Sequence, residues 1–233
     1  MTLPVAILAG GLATRLRPVT ERIPKALIDI EGRPFIEHQL ELLKAQGFTR
    51  VVLCVSYLGE MIEDALGDGS RFGVEIKYVF DGGKLLGTGG ALRKALPHLG
   101  EAFMILYGDS YLDCDYKAVA DAFIKEGKQG LMTVFRNEGK WDTSNVEFSD
   151  GCIIKYDKKD LTPEMHYIDY GLGVLKASVL EEYPEDTVFD LAGVYGKLVA
   201  HGELSGFEIR ERFYEIGTPE SLEETREYIL QRG

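Results

Sequence analysis

The first half of the chain alternates between short apolar runs and amphipathic stretches of helical period. Apolar residues recur at helical spacing through residues 35–46, and Gly47 is typical of a helix end. Because a strand, a helix and a further parallel strand form a right-handed crossover, this order predicts a mostly parallel sheet covered on both faces. We predict a doubly wound α/β core with strands Val5–Leu8, Arg50–Val55, Val74–Phe80 and Ala102–Tyr107, and helices Phe35–Gln46, Gly59–Leu66 and Gly90–Leu96.

The second half is predicted to be richer in β-structure. Ser149-Asp150-Gly151 is typical of a hairpin turn. Thr218 is a candidate N-cap, with Pro219 in the first position of a final helix. We predict a small antiparallel sheet from Gly130–Arg136, Ser144–Phe148, Cys152–Tyr156 and Leu172–Leu175, followed by a helix over Ser221–Gln231. With no linker or low-complexity segment, residues 1–233 are interpreted as a single domain.

Composition excludes several classes of protein. A net charge of −12 argues against general nucleic-acid binding, and no apolar run approaches the ~18 residues that cross a bilayer. The apolar start leads directly into a charged loop, which indicates a first strand instead of a signal peptide. The cysteines lack C-x-x-C spacing and the histidines lack zinc spacing, so we expect a reduced, cytoplasmic protein without zinc.

Residues 8–27, reading LAGGLATRLRPVTERIPKAL, carry a dense positive charge directly after the first strand. Adjacent glycines let a backbone approach an anion closely, and free amides can surround it. Four basic groups stand against one acid here, in a chain of opposite net charge: Arg15, Arg17, Arg22 and Lys25 against Glu21. The segment therefore predicts a cradle for a polyphosphate, with Arg17 and Arg22 interpreted as solvated or ion-paired.

The same segment resembles the signature loop of the sugar-1-phosphate nucleotidyltransferases, roughly G-G-x-G-T-R-L-x-P-x-T followed by P-K. Ala13 stands where the family usually has glycine, so we expect the loop to tolerate a Cβ there. The matching residues are Gly10, Gly11, Thr14, Arg15, Leu16, Pro18, Thr20, Pro24 and Lys25.

The resemblance covers nearly the whole chain and implies the Rossmann-like nucleotidyltransferase fold. Residues 1–115 would then bind the nucleotide and residues 116–233 the sugar. Length and the GTGG and GDS segments look most like the small heptose-1-phosphate guanylyltransferases, and the N-acetylmuramate-1-phosphate uridylyltransferases are similarly short. The nucleotide-binding residues that the resemblance implies are Leu8, Ala9, Gly10, Gly11, Thr14, Gly87, Thr88 and Gly89.

Two acids are predicted to hold Mg²⁺. Asp109 lies just beyond the carboxyl end of an apolar strand, where open α/β sheets bind ligands, and a carboxylate there suits Mg²⁺. In the family, a G-D motif at this point supplies a metal aspartate. The segment FYEIGTPESL resembles the family's late acidic segment, with Glu215 in place of aspartate as the second ligand. Nearby Asp113 and Asp115 are interpreted as solvated acids.

Two cations are predicted to complete the catalytic set. Pro24 holds the chain extended before Lys25, whose ammonium suits a phosphate oxygen. The planar guanidinium of Arg15 suits bidentate contact with the β- and γ-phosphates. For the sugar side, the resemblance implies Asn145, Lys158 (or Lys159), Asp169 and Gly171.

These features predict transfer of a nucleotide from an NTP to a sugar 1-phosphate, with GTP and a heptose or mannose-type sugar favoured. The alternatives are a UTP-dependent enzyme for an amino-sugar 1-phosphate, a choline-phosphate or molybdenum-cofactor nucleotidyltransferase, and a non-catalytic nucleotide-sensing subunit. The sequence disfavours a kinase-like P-loop enzyme, because G-x-x-x-x-G-K-[ST] does not occur. Exposed apolar residues in the second half predict a homodimer surface, and neither nucleic acid nor membrane is expected as a partner.

Overall fold

The structure is a computed structural model that describes residues 2–11, 14–16 and 19–232. The backbone conformation of Ala13, the role of Arg17, the match at Pro18 and the side chain of Thr14 therefore lie outside what is described. The helices are α1 (Phe35–Ala45), α2 (Gly59–Leu66), α3 (Gly87–Ala95), α4 (Tyr116–Glu126), α5 (Ser178–Glu181), α6 (Leu191–Ala200) and α7 (Pro219–Arg232).

Within the described residues, nine strands form the main sheet and four short ones form two small antiparallel sheets. The order in the main sheet is β5-β4-β1-β6-β11-β8-β12-β10-β9, and the small sheets pair β2 with β3 and β7 with β13. The strands are β1 (Val5–Leu8), β2 (Asp29–Ile30), β3 (Arg33–Pro34), β4 (Arg50–Val55), β5 (Glu75–Phe80), β6 (Ala102–Tyr107), β7 (Ser110–Tyr111), β8 (Gly130–Arg136), β9 (Val146–Ser149), β10 (Cys152–Tyr156), β11 (Tyr167–Lys176), β12 (Leu204–Ile209) and β13 (Tyr214–Glu215).

Most strands of the main sheet run in one direction. β1 is parallel to both β4 and β6, and β5 is parallel to β4. Because β11 is antiparallel to both β6 and β8, β8 and its parallel neighbour β12 share the direction of β1. The predicted parallel core is confirmed in the run β5-β4-β1-β6. The predicted strands of the second half do not form a separate sheet: β11, β8, β10 and β9 continue the main sheet, which becomes mixed because the pairs β6–β11, β11–β8 and β10–β9 are antiparallel.

Apolar residues cover both faces of the sheet. Ile36 and Leu40 of α1, Ile62 of α2 and Phe123 of α4 belong to one buried cluster. Residues of α3, α5 and α6 belong to the opposite cluster: Leu92, Ala95, Leu180, Val194 and Leu198. The doubly wound arrangement predicted from the sequence is therefore confirmed.

The largest differences from the sequence-based prediction lie in α3 and in the second half. α3 begins at Gly87, three residues before the predicted start, because the amides of Gly89 and Gly90 donate to the carbonyl of Phe189. β11 runs from Tyr167 to Lys176 and is much longer than the predicted run. α4, α6 and β12 were not predicted. The extent of α3 and β11 and the formation of β12 depend on contacts between segments far apart in sequence. α4, in contrast, has buried residues at helical spacing and a local N-cap, a signal that could have identified it.

Candidate active site

The two predicted metal acids lie beside each other, Asp109 in the turn before β7 and Glu215 on its partner strand β13. Asp109 follows β6, and the next residue, Ser110, pairs in register with Glu215 in the small β7–β13 sheet. The amide of Ile216 donates to the carbonyl of Asp109 at 2.9 Å. Residues more than a hundred positions apart in the sequence are thus brought together at the carboxyl edge of the parallel strands, where such sheets bind ligands.

Lys25 contacts one of these acids directly. Its Nζ lies 2.7 Å from Oδ2 of Asp109, and Ser110 Oγ donates to the other carboxylate oxygen at 3.3 Å. Burial raises the pKa of Glu215, the charge of Asp109 raises it further, and Lys25 and Arg15 oppose the rise. Lys25, predicted to meet a phosphate, is therefore paired with a carboxylate in this structure.

Buried neighbours hold the two cations in place. Lys25 opens a short 3₁₀ turn over Lys25–Leu27, with Ala26 buried beneath it. Arg15 is exposed, but the next residue, Leu16, is buried in a cluster with Ile216. The positions of both basic groups are thus set by apolar residues beside them. Arg22, in contrast, is exposed, as the sequence predicted.

A cavity of ≈ 190 Å³ opens beside the glycine segments at the ends of β1 and β4. Ala9 and Gly89 are absent from its wall: the amide of Ala9 donates to Cys54, and a Cβ at position 89 would lie 2.4 Å from the ring of Phe189. Predicted nucleotide residues in its wall are Leu8, Gly10, Gly11, Gly87 and Thr88, joined by Cys54, Asp81, Leu85, Ala91 and Asp190.

Three chemically active residues in this wall were not predicted. Burial raises the pKa of Asp81, whose Oδ2 accepts from the Leu86 amide at 3.1 Å. Burial also raises the pKa of the Cys54 thiol to about 12, so the thiol stays protonated at neutral pH. Asp81 follows β5 just as Asp109 follows β6, a signal that could have identified it. Asp190 comes from the second half and has no such local signal.

A second cavity of ≈ 180 Å³ contains the predicted sugar residues. Asn145 Oδ1 accepts from the amide of Asp169 at 3.0 Å, and Asp169 accepts from Gly171 at 3.1 Å. Burial raises the pKa of Asp169, and the nearby charge of Lys158 opposes this. Asn145, Lys158, Asp169 and Gly171 all line this cavity together with Asp109 and Glu215. The amide of Lys159 instead donates to Asp157.

A third cavity of ≈ 270 Å³ lies behind Glu215 and was not predicted. It shares Asp142, Phe213 and Glu215 with the sugar cavity. Its wall includes Arg212, whose guanidinium carbon lies 4.8 Å from the ring centres of both Trp141 and Tyr214.

The interpretation of Asp113 as a solvated acid is wrong, whereas Asp115 is exposed, as predicted, and has a structural role as well. Asp115 caps α4 by accepting from the amide of Ala118 at 2.9 Å. Asp113 accepts from the hydroxyl of Tyr228 at 2.6 Å and pairs with Arg232. Both acids therefore have structural partners, and Asp113 ties the final helix to the sheet.

The donor set suits a hard cation with few protein ligands. Asp109 and Glu215 offer only carboxylate oxygens, which Mg²⁺ prefers, and Mg²⁺ normally keeps water or substrate phosphate on its other positions. Within residues 2–11, 14–16 and 19–232, no group of three or more His, Cys, Asp or Glu residues is arranged to hold a metal. Over the same residues, no helix is long and apolar enough to cross a bilayer.

The fold and site define an α/β protein with a glycine-lined cavity and a pair of acids at the carboxyl edge of its sheet. The chain belongs to the Nucleotidyl transferase family, whose profile matches residues 5–232.

Three curated relatives show the range of similarity. The chain is 45% identical over 226 residues to the N-acetylmuramate alpha-1-phosphate uridylyltransferase of Neisseria meningitidis serogroup B, covering 94% of this chain and 95% of the relative. It is 31% identical over 219 residues to the D-glycero-alpha-D-manno-heptose 1-phosphate guanylyltransferase of Campylobacter jejuni, covering 92% of this chain and 94% of the relative. It is 33% identical over 215 residues to the UTP–glucose-1-phosphate uridylyltransferase of Synechocystis. That alignment covers 84% of this chain but only 55% of the relative.

Solved structures show the same fold. HddC from Yersinia pseudotuberculosis complexed with GMP-PN superposes with a TM-score of 0.81 at 26% identity, covering 98% of this chain and all of that one. A putative glucose-1-phosphate thymidylyltransferase from Bacillus anthracis superposes with a TM-score of 0.86 at 21% identity, covering 97% of this chain and 95% of that one. This similarity shows a common fold alone.

Proposed function

We propose that the protein transfers a nucleoside monophosphate from an NTP to a sugar 1-phosphate, releasing pyrophosphate and forming an NDP-sugar. The observation that carries this proposal is the short backbone link between the glycine-walled cavity and Asp109, which lines the sugar cavity together with Glu215. Leu8 lines the glycine-walled cavity and accepts from Gly108 at 3.0 Å, and the residue after Gly108, Asp109, lines the sugar cavity. An NTP in the first cavity and a sugar phosphate in the second would meet at Asp109.

The reaction must bring two anions together. At a separation of ~4 Å, two unit charges repel by roughly 4 kcal/mol at an effective dielectric near 20. Arg15 and Lys25 would offset this repulsion by binding phosphate oxygens. The attacking phosphate is already ionised, so the reaction requires positioning and charge neutralisation without a general base.

Asp109 and Glu215 would hold Mg²⁺ in this proposal. When bound, the ion supplies positive charge that neutralises phosphate oxygens. Lys25 would then exchange its contact with Asp109 for one with a substrate phosphate. The raised pKa of Glu215 supports this assignment, because a buried acid beside a second acid gains from a nearby cation.

For the substrates, we propose GTP and a heptose or mannose-type 1-phosphate. The similarity to the Campylobacter heptose enzyme and to HddC supports this choice. The second candidate is UTP with an amino-sugar 1-phosphate, which the higher identity to the Neisseria enzyme favours. A homodimer remains a prediction from exposed apolar residues of the second half, such as Ile124, Ile154 and Val188.

Pyrophosphate release tests this proposal directly. The protein would be incubated with Mg²⁺, each of the four ribonucleoside triphosphates, and mannose, heptose, glucose and N-acetylmuramate 1-phosphates. We expect release only when one NTP and one sugar phosphate are both present. Release with UTP and N-acetylmuramate 1-phosphate would select the second candidate, whereas nucleotide binding without any release would indicate a sensing subunit.

Gly217 offers a test of the Glu215 position. A Cβ at residue 217 would lie 2.8 Å from Oε1 of Glu215 and 3.2 Å from Nη2 of Arg15. Both atoms end flexible side chains, so Gly217→Ala should displace them at little cost to folding. We expect pyrophosphate release to fall about tenfold or more, since misplacing catalytic groups by about 1 Å can cost up to 10²-fold.

The control for this variant is Gly196→Ala, at a helical glycine with open space around it. Gly217→Ala should unfold at nearly the same temperature as the unaltered protein, and Gly196→Ala should be stabilised by about 0.5–1 kcal/mol, as Gly→Ala inside a helix usually is. Full activity in Gly217→Ala would contradict a catalytic position for Glu215 and Arg15.

A further inference from the structure

Asp190 occupies the N-cap position of α6 but does not cap the helix. Its carboxylate accepts no hydrogen bond from the first turn of α6. The amide of Leu191 instead donates to Thr88 Oγ1 at 2.8 Å, across the two halves of the chain. Aspartate at an N-cap normally accepts from these amides, so the hydroxyl of Thr88 leaves the carboxylate of Asp190 available for another partner.

The available carboxylate lies at the edge of the glycine-walled cavity. Asp190 is exposed and lines that cavity together with Gly87 and Thr88. Its one side-chain contact in the described structure is with Thr88 Oγ1, which donates to Oδ1 at 3.5 Å, the long limit for a hydrogen bond. A Cβ at Gly87 would lie 3.3 Å from the same oxygen, so glycine there keeps the approach open.

The other acid of this cavity is already engaged. Asp81 is buried, and its Oδ2 accepts from the amide of Leu86. Asp81 therefore has a structural partner within its own loop, whereas Asp190 has only the long contact with Thr88. Asp190 can therefore accept hydrogen bonds from a ligand without giving up a short hydrogen bond within the protein, whereas Asp81 cannot do so through Oδ2.

We propose that Asp190 selects the nucleobase by accepting two hydrogen bonds from the N1–H and N2–H groups of guanine. This inference rests on the proposed function, which places a nucleotide in the same cavity. An ionised carboxylate only accepts hydrogen bonds, and guanine presents two adjacent donors on one edge. Uracil presents a single N–H between two carbonyl oxygens, which a carboxylate would repel.

The test compares GTP with ITP, which lacks only the 2-amino group. In the unaltered protein, we expect kcat/KM for GTP to exceed that for ITP by about tenfold, the scale of losing one hydrogen bond to a charged group. Asp190→Asn should lower kcat/KM for GTP by about tenfold and bring the GTP-to-ITP ratio close to one. The loss should appear in KM, because the base is remote from the reacting phosphates.

Asp186→Asn is the matched control. Asp186 is an exposed acid in the same segment, outside the cavity wall, and its positive φ of 55° suits asparagine equally well. This variant removes the same charge and should leave the GTP-to-ITP ratio unchanged. If Asp190→Asn lowers kcat/KM equally for GTP and for ITP, the result would indicate a ribose contact or a structural effect and would overturn the proposal.

Calorimetric binding of GTP and ITP in the absence of sugar phosphate separates the two proposals. Selective GTP binding that disappears in Asp190→Asn supports the role of Asp190 even if no NTP is turned over, in which case the proposed reaction is wrong. If UTP is the one NTP turned over and binding shows no preference for GTP, the proposed transferase reaction is supported. The proposal that Asp190 recognises guanine is then refuted.

Discussion

Replacing Asp109 with asparagine is expected to lower pyrophosphate release by about 10²- to 10³-fold, the scale of losing one preorganised electrostatic group in an active site. The change removes the negative charge that pairs with Lys25 at 2.7 Å and that we propose to hold Mg²⁺ with Glu215. Side-chain volume is kept and the ion pair is partly exposed, so the free energy of unfolding should change by less than about 1 kcal/mol. Initial rates across a magnesium titration measure the effect.

Asp64→Asn is the control for this experiment. Asp64 is an exposed acid on α2, and its replacement removes the same charge from the same half of the chain. We expect its rate and its magnesium dependence to match those of the unaltered protein. Near-normal turnover in Asp109→Asn would remove the main support for the proposed mechanism.

The second large effect is expected on stability, at Gly90. Gly→Ala inside a helix usually stabilises by roughly 0.5–1 kcal/mol. At Gly90, however, a Cβ would lie 2.4 Å from the backbone oxygen of Thr187 and 2.9 Å from Cβ of Leu86. Overpacking of this kind costs about 1–3 kcal/mol, so Gly90→Ala should lower the free energy of unfolding by about 2 kcal/mol and Tm by about 5 °C.

Gly193→Ala is the matched control for this prediction. Gly193 lies in α6, and no atom stands within 4 Å of the Cβ that alanine would add. The same substitution should therefore raise stability there by about 0.5–1 kcal/mol. Urea unfolding of both variants measures the difference. If both substitutions stabilise, the close packing of α3 against residues 187–189 is wrong.

The prediction at Gly90 also changes how the GTGG segment is interpreted. The family resemblance assigned Gly87, Thr88 and Gly89 of this segment to nucleotide binding. In the structure, Gly87 and Thr88 line the cavity, whereas Gly89 and Gly90 provide room for Phe189 and Thr187. A glycine-rich motif can thus combine ligand contact with packing, and the packing partner cannot be seen in the motif.

Local sequence pattern was sufficient to predict the parallel core of the sheet and, in the candidate site, the glycine segment and Asp109. The period of residues 35–46, the apolar runs of β1, β4 and β6, and the acid after β6 are all properties of neighbouring residues. Strand ends of one direction share one edge of a sheet, so the position of Asp109 near the glycine segment followed from the order of elements. The resemblance then supplied Glu215, Asn145 and Asp169, which local pattern alone did not identify.

Tertiary structure decided the contacts between the two halves. The pairing of β7 with β13 places Glu215 beside Asp109. The amide of Leu191 donates to Thr88, so the Asp190 carboxylate makes no capping hydrogen bond to α6. Neither contact follows from local period or turn chemistry, because each depends on which distant segments the sheet order brings together. Propensity and hydrophobic period act between near neighbours, whereas cavities form between segments whose adjacency exists only after the whole sheet has assembled.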